Sequence, residues 1–251
     1  MNFHGRKICL LLASLCCANS YAELTLYQTR DYIATHFVGS LSLGPAWGNG
    51  GDAQTLVLSP EIVKTYTVTR STKTMLDGEL FAGVNQVLAP NFTSQVGLAI
   101  AATTYTSVAG DIWDDAAPAF NNYTYHYQLR HSHVALKGKL LIDRGYIIIP
   151  WVSVSAGLGF NNATSFTNAP STPEAIVMPN FASRTTTAFT YTLGVGAERQ
   201  LNQHWQAGIG YEFADWGRSQ LNPASGQSSS NTLSLSHYYT SGILANLTYS
   251  A

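Results

Sequence analysis

The chain has 251 residues, 11% of them charged and 45% hydrophobic, with 14 tyrosines, five tryptophans and 21 glycines. A soluble domain is typically about 25% charged, so an ordinary water-facing surface is excluded over much of the length. A net charge of −1 excludes the basic face that nucleic acid requires.

At the N-terminus Arg6 and Lys7 precede an apolar run from Ile8 to Ala18, and Ser20-Tyr21-Ala22 follows as a small-x-small cleavage site. This pattern predicts an export signal over 1–22 and a domain over 23–251. The apolar run is about half the length that a helix needs to cross a bilayer, and no later stretch approaches it, so helical membrane spanning is not expected. Cys9, Cys16 and Cys17 all fall inside the signal. The domain therefore has no disulfide, thiolate metal site or cysteine nucleophile. Leu15 before Cys16, and Cys16 before Cys17, lack the small residue that precedes a lipid-modified cysteine.

Period-two alternation then recurs along the chain. Val152, Val154, Ala156, Leu158 and Phe160 alternate with Trp151, Ser153, Ser155, Gly157 and Gly159; Phe189, Tyr191, Leu193, Val195 and Ala197 alternate with Thr190, Thr192, Gly194, Gly196 and Glu198. The stretches at 92–103 and 205–213 divide the same way. A water-soluble sandwich would place charge opposite its apolar face. Here the opposite face is Gly, Ser, Thr and an occasional carboxylate, which predicts a lipid-contacting exterior around a narrow interior.

Eight such segments lie at about 34–44, 75–86, 91–105, 123–141, 146–160, 185–200, 204–217 and 236–249. The expectation is an all-β, eight-stranded antiparallel transmembrane β-barrel in the cell outer membrane, with ten strands as the competing count. Short links at Ala89-Pro90, Asp143-Arg144-Gly145 and Leu201-Asn202-Gln203 alternate with four long outer loops near 45–74, 106–122, 161–184 and 218–235. The first of these loops contains Thr55–Leu58 and Glu61–Thr69, which also favour strand and would carry the walls beyond the membrane. Tyr32, Tyr105, Tyr123, Tyr125, Tyr127, Tyr146, Trp151, Trp205, Trp216, Tyr239 and Tyr249 lie near strand ends, where aromatic rings mark headgroup depth.

Ionisable residues on the inner face are Asp77, Glu79, Lys137, Lys139, Glu198 and Glu212. The expectation is a hydrogen-bonded network in which carboxylates surround one or both lysines and fill the interior; a pore is the alternative. Arg130-His131-Ser132-His133 is the one local constellation that suggests chemistry. A lipid-acting hydrolase would need a base beside a nucleophile, yet alternation puts His131 and His133 on one face and Ser132 on the other. The two histidines offer only part of a metal site. Asp111, Asp114 and Asp115 form the densest acidic cluster, a weak cation-binding candidate within a solvated loop. No catalytic residue, metal or cofactor is expected, and the chain is not read as an enzyme.

His36-Phe37-Val38-Gly39-Ser40-Leu41-Ser42-Leu43-Gly44 resembles the opening aromatic-Val-Gly strand of small outer-membrane barrels of the OmpA-like and opacity type, including members from intracellular gammaproteobacteria such as Legionella. Gly208-Ile209-Gly210-Tyr211-Glu212-Phe213-Ala214-Asp215-Trp216-Gly217 resembles that family's penultimate strand. The resemblance implies export, periplasmic chaperones, insertion by the outer-membrane assembly machinery, contact with outer-membrane lipids and lipopolysaccharide, and variable loops facing a host surface ligand. It implies no common reaction. The expected role is structural or interactive at the cell surface. Two features depart from the family: the sequence finishes Leu247-Thr248-Tyr249-Ser250-Ala251, where an aromatic residue usually stands last, and no peptidoglycan-binding domain is expected.

Overall fold

The structure, a computed structural model, describes residues 35–48, 51–69, 73–173, 176, 178–227 and 229–251. The export signal expected at 1–22, and Tyr32, lie outside these residues. Among the described residues no helix is long and apolar enough to cross a membrane.

Thirteen strands form in chain order: β1 Thr35–Gly48, β2 Gln54–Ser59, β3 Ile62–Tyr66, β4 Lys73–Ala89, β5 Phe92–Thr103, β6 Thr106–Asp114, β7 Asn121–Ile142, β8 Ile149–Pro170, β9 Arg184–Gln200, β10 Trp205–Asp215, β11 Ser219–Gln220, β12 Ser234–Leu235 and β13 Tyr239–Ser250. One short 3-10 turn, Pro118–Phe120, interrupts them. Eleven strands belong to one antiparallel sheet ordered β2-β3-β6-β7-β5-β4-β1-β13-β10-β9-β8, with β7 also pairing β8. Eight of them, β1-β4-β5-β7-β8-β9-β10-β13, make a ring of pairings in which β1 also meets β13.

This corrects the expected eight-stranded β-barrel, and the ten-stranded alternative with it. The sheet is branched, because β7 takes three partners, and it has a free edge at β2, whose one ladder is with β3. The cause lies at the end of the molecule away from the short turns. There β2 and β3 prolong the β1–β4 hairpin, β3 pairs β6 through Tyr66↔Ile112, and β6 carries on from β5 along β7 after a break at Thr104 and Tyr105. Residues expected as loops at 45–74, 106–122 and 161–184 therefore hold β2, β3, β6 and the last turns of β8.

Polarity explains why those segments escaped a uniform alternation. On β7, Tyr123, Tyr125, Tyr127 and Leu129 are buried inward while Thr124, His126, Gln128 and Arg130 face out. Further along, Lys137 and Lys139 point inward and Val134 and Leu136 point outward, Leu136 being 62% exposed. The same reversal occurs on β8. Its outward Val152, Val154, Leu158 and Phe160 give way to Asn162 and Thr164, and its inward Ser153, Ser155 and Asn161 give way to Ala163 and Phe166. A bulge at Ser165, with φ of 56°, shifts the alternation by one so that Phe166 turns inward.

Two zones result. Toward the turns, all eight ring strands show exposed large apolar side chains, among them Leu41, Leu80, Leu98, Leu136, Val154, Leu193, Ile209 and Ile243. On β7 Val134 and Leu136 are exposed and Leu140 and Ile142 half-buried on the same outward side; such a stretch of about nine residues runs ~30 Å along the strand, or ~20–25 Å of depth when tilted. At the distal end an apolar core lies inside, built from Tyr66, Ile112, Tyr125, Tyr127, Phe166, Phe181, Trp216 and Tyr238 among others. Two smaller clusters, Val38-Phe81-Ala99 and Leu141-Ile149-Trp151, close the turn end.

The aromatic expectation divides along the same line. Tyr105, Tyr146, Trp205, Tyr239 and Tyr249 are exposed, whereas Tyr123, Tyr125, Tyr127, Trp151 and Trp216 are buried inward and do not mark headgroup depth.

Close approach decides one pair of glycines. Gly83 and Gly97 face each other across β4 and β5, and a Cβ on Gly97 would overlap the Ala82 carbonyl oxygen while one on Gly83 would lie 2.8 Å from the Phe81 ring. Gly97→Val is expected to cost about 1–3 kcal/mol by forcing the two strands and Phe81 apart. A urea titration followed by tryptophan fluorescence checks this through a lowered midpoint.

Candidate functional site

The inward charges lie between the turn-end clusters and the distal aromatic core. Lys137 on β7 donates to Glu79 Oε1 on β4 at 2.5 Å and reaches Glu212 Oε2 on β10 at 3.4 Å. β4 and β10 are not ladder neighbours of β7, so these contacts cross the space within the ring. Lys139 pairs with Glu198 on β9, whose Oε1 also accepts from Asn246 Nδ2 at 3.1 Å, and its ammonium lies 4.7 Å from the Trp151 ring centroid. Asp77 shares the same face and is buried, but joins no ion pair among the described residues. The six residues thus form two separate groups, one around each lysine, with Asp77 apart.

Physically the two lysines are what make this interior tenable. A carboxylate taken out of water without a partner costs several kcal/mol, and two facing each other cost more. Each lysine sits among acids and offers three donors. Between Ser42, Glu79, Lys137, Trp151, Glu212 and Leu244 only about 30 Å³ remains open. That is room for isolated water.

Above the lysines His131 and His133 sit side by side, His131 Nε2 to His133 Nδ1 at 3.0 Å. Asn161 fixes their protons. Its Nδ2 donates to the Trp216 and Arg218 carbonyls at 2.7 and 2.8 Å, so its Oδ1 must accept from His131 Nδ1 at 2.7 Å. His131 Nε2 then accepts from His133 Nδ1, which leaves His133 Nε2 a buried acceptor without a partner among the described residues. The Trp216 ring stacks on His131 at 4.1 Å between centroids and 17° between planes.

Ser132 lies on the opposite face of β7 from both histidines, and neither histidine hydrogen-bonds to a serine hydroxyl among the described residues. The geometry of a serine–histidine pair is therefore not assembled here. Nor do three His, Cys, Asp or Glu side chains converge as metal ligands among the described residues.

The acidic cluster is split. Asp111 faces outward on β6, Asp115 is exposed with φ of 51°, and Asp114 pairs with Lys64 on β3 while accepting from Asn122 Nδ2 at 2.7 Å. Burial draws the Asp114 carboxyl upward, but the hydrogen bonds from Lys64 and Asn122 and the Lys64 charge outweigh it and hold the group below the usual carboxylate range. In the surrounding core, burial and the neighbouring Asp114 charge push the Tyr66 phenol well above its ordinary value.

Asn161 and Lys64 were not singled out in the sequence. Extending the alternation of 151–160 by one residue places Asn161 inward, and the strand preference of Glu61–Thr69 was the signal for Lys64.

No protein-family model matches the chain, and no curated protein matches it in sequence. Among solved structures it is similar to surface protein A of Neisseria, at 8% identity and a TM-score of 0.43 over 85% of this chain and 96% of that one. It is similar to the outer membrane protease OmpT of Escherichia coli, at 10% identity and a TM-score of 0.45 over 86% and 97%. It is also similar to OprG of Pseudomonas aeruginosa, at 12% identity and a TM-score of 0.41 over 88% and 97%. By name they are a surface protein, an outer-membrane protease and an outer-membrane protein, and they do not set the OmpA-like or opacity type apart. Likenesses this distant carry no residue role or activity across to this chain.

Removing Lys137 tests the inner network. Lys137→Met leaves Glu79 and Glu212 with no cation between them and is expected to cost about 3–5 kcal/mol. Adding Glu79→Gln and Glu212→Gln should recover most of that loss in equilibrium unfolding, because the uncompensated charges are then gone.

The Lys64–Asp114 pair gives a pH dependence of known sign. A carboxyl whose folded pKa is lowered contributes stability above its unfolded value, about 3.9, and loses it only as pH falls through the folded value. Amides of β3 and β6, corrected for intrinsic exchange, should therefore stay protected from pH 7 to about pH 4 and open below it. In Asp114→Asn the same amides should exchange faster at pH 7, by the equivalent of ~1–3 kcal/mol for the unpaired Lys64.

Proposed function

We propose that this chain is an integral outer-membrane protein that serves as a closed scaffold, not as an enzyme, and that displays its distal end as a surface for contact with a host or another partner. The observation that carries this reading is the reversal of polarity along the long strands. A strand that is polar outside and apolar inside at one end, and apolar outside and polar inside at the other, is built for water around the first half and hydrocarbon around the second. On β7 the outward residues from Val134 to Ile142, which are Val, Leu, Gly, Leu and Ile, carry no charge over about the length a tilted strand needs to cross lipid.

Closure is supported by the filling of the inner space with paired charges and by the small volume left beside Lys137. The scaffold role is supported by the rigid attachment of the distal segments to the ring strands through β6 and β7, since binding surfaces belong on loops and short elements held by a stable frame. The finer kinship, with the OmpA-like or opacity type, rests on the two stretches 36–44 and 208–217. Its surroundings would be outer-membrane lipid and lipopolysaccharide, reached through the assembly machinery and periplasmic chaperones.

Two arginine substitutions on one strand test the membrane reading. Leu136→Arg, within the apolar band, should cost about 2–4 kcal/mol in lipid vesicles, while Gln128→Arg, above it, should cost about 0–1 kcal/mol. Equal losses, measured by urea unfolding in vesicles, would sink the proposal.

A further inference from the structure

The distal end contains a cavity of about 620 Å³ between β3, the turn after β6, the start of β7 and the segment around Phe181. That volume falls within the roughly 300–1,000 Å³ of small-molecule sites. Phe120, Tyr123 and Phe181 supply aromatic walls. The Tyr123 hydroxyl is already engaged, donating to the Ile176 carbonyl at 2.9 Å, so its contribution to an occupant is its ring.

The charges lining the cavity are unequal. Among the described residues that line it, Glu61, Asp114 and Asp115 face one cation, Lys64. Lys64 is committed on two sides, to Asp114 and to the Tyr123 ring, whose centroid lies 4.8 Å from Nζ. Glu61 and Asp115 join no ion pair among the described residues. An anionic occupant would enter a net negative field with its one counter-charge already used. A neutral apolar occupant would gain nothing from either acid. A cation gains from both acids and from the aromatic faces.

We propose that this cavity binds a small organic cation, a protonated amine carried on an aromatic or aliphatic body, with the body against Phe120, Tyr123 and Phe181 and the ammonium directed to Glu61 and Asp115. The inference gives the distal surface a ligand class. It rests on the membrane reading only for the side on which the cavity opens.

The test is calorimetric titration of the full chain in dimyristoylphosphatidylcholine nanodiscs, with empty nanodiscs subtracted, using 2-phenylethylammonium, 2-phenylethanol and 3-phenylpropanoate. The amine should saturate one site and bind about tenfold or more tightly than the alcohol and the acid, as expected for a charge facing two carboxylates and aromatic rings. Glu61→Gln with Asp115→Asn, both on the exposed rim, should lower amine affinity about tenfold while leaving the melting temperature unchanged. Equal binding of the three probes, no saturable heat from the amine, or an unchanged affinity in the double variant would each overturn the proposal. The same titration runs on protein held in dodecyl maltoside, so a failure to enter nanodiscs would count against the membrane reading and leave the ligand test standing.

Discussion

Backbone groups in hydrocarbon must find partners within the protein, and side chains must match whatever surrounds them at each depth. On the proposed membrane reading, the two longest strands, β7 and β8, meet those two demands twice, once in each medium. Pairing runs along β7 from Tyr123↔Pro170 to Leu141↔Trp151, interrupted once by the bulge opposite Tyr127, so the same ladder spans the change of surroundings. Only the side chains respond. The apolar set crosses from the inner face to the outer one near His131, and the polar set crosses the other way.

The inner charges follow from that exchange. Once the outside of the ring is apolar, the inside becomes the one place where polar side chains can sit, and a narrow inside forces them together. Lys137 and Lys139 are neighbours on one face of one strand, which by itself is repulsive. They are separated electrostatically because each has its own acid partners from other strands, Glu79 and Glu212 for the first and Glu198 for the second. The histidine pair occupies the level between this zone and the aromatic core, where Asn161 ties it to the backbone at Trp216 and Arg218.

Much of this was legible in the amino-acid sequence wherever one rule held over a whole segment. The alternation in 152–160 and 189–197 sets which residues face out, and the inward position of Glu79, Lys137, Glu198 and Glu212 follows from parity alone. What was not legible is where the rule reverses. Tyr123, Tyr125 and Tyr127 alternate as regularly as Val152 and Val154, but periodicity does not say which medium surrounds a strand, and rings expected at headgroup depth are core residues instead. Within the stretch 45–74, where Gly, Pro and Asn suggest a loop, the strand preference of 55–58 and 61–69 falls on β2 and β3 but does not reveal the branching that their pairing produces. The branched sheet with its free edge at β2, in place of a simple eight-stranded cylinder, is the sum of those omissions. Which carboxylate meets which lysine depends on spacing across the ring, and no local pattern encodes that.

Two discontinuities of the sheet lie just beyond the apolar band: the break at Thr104 and Tyr105 and the bulge at Ser165. Each absorbs a change of register before it reaches the paired charges below. A residue gained or lost in the distal half would be taken up at these joints, and Lys137 would still meet Glu79. Selection can therefore reshape the exposed end at the pace a changing environment demands, while the buried half inherits the same contacts unchanged.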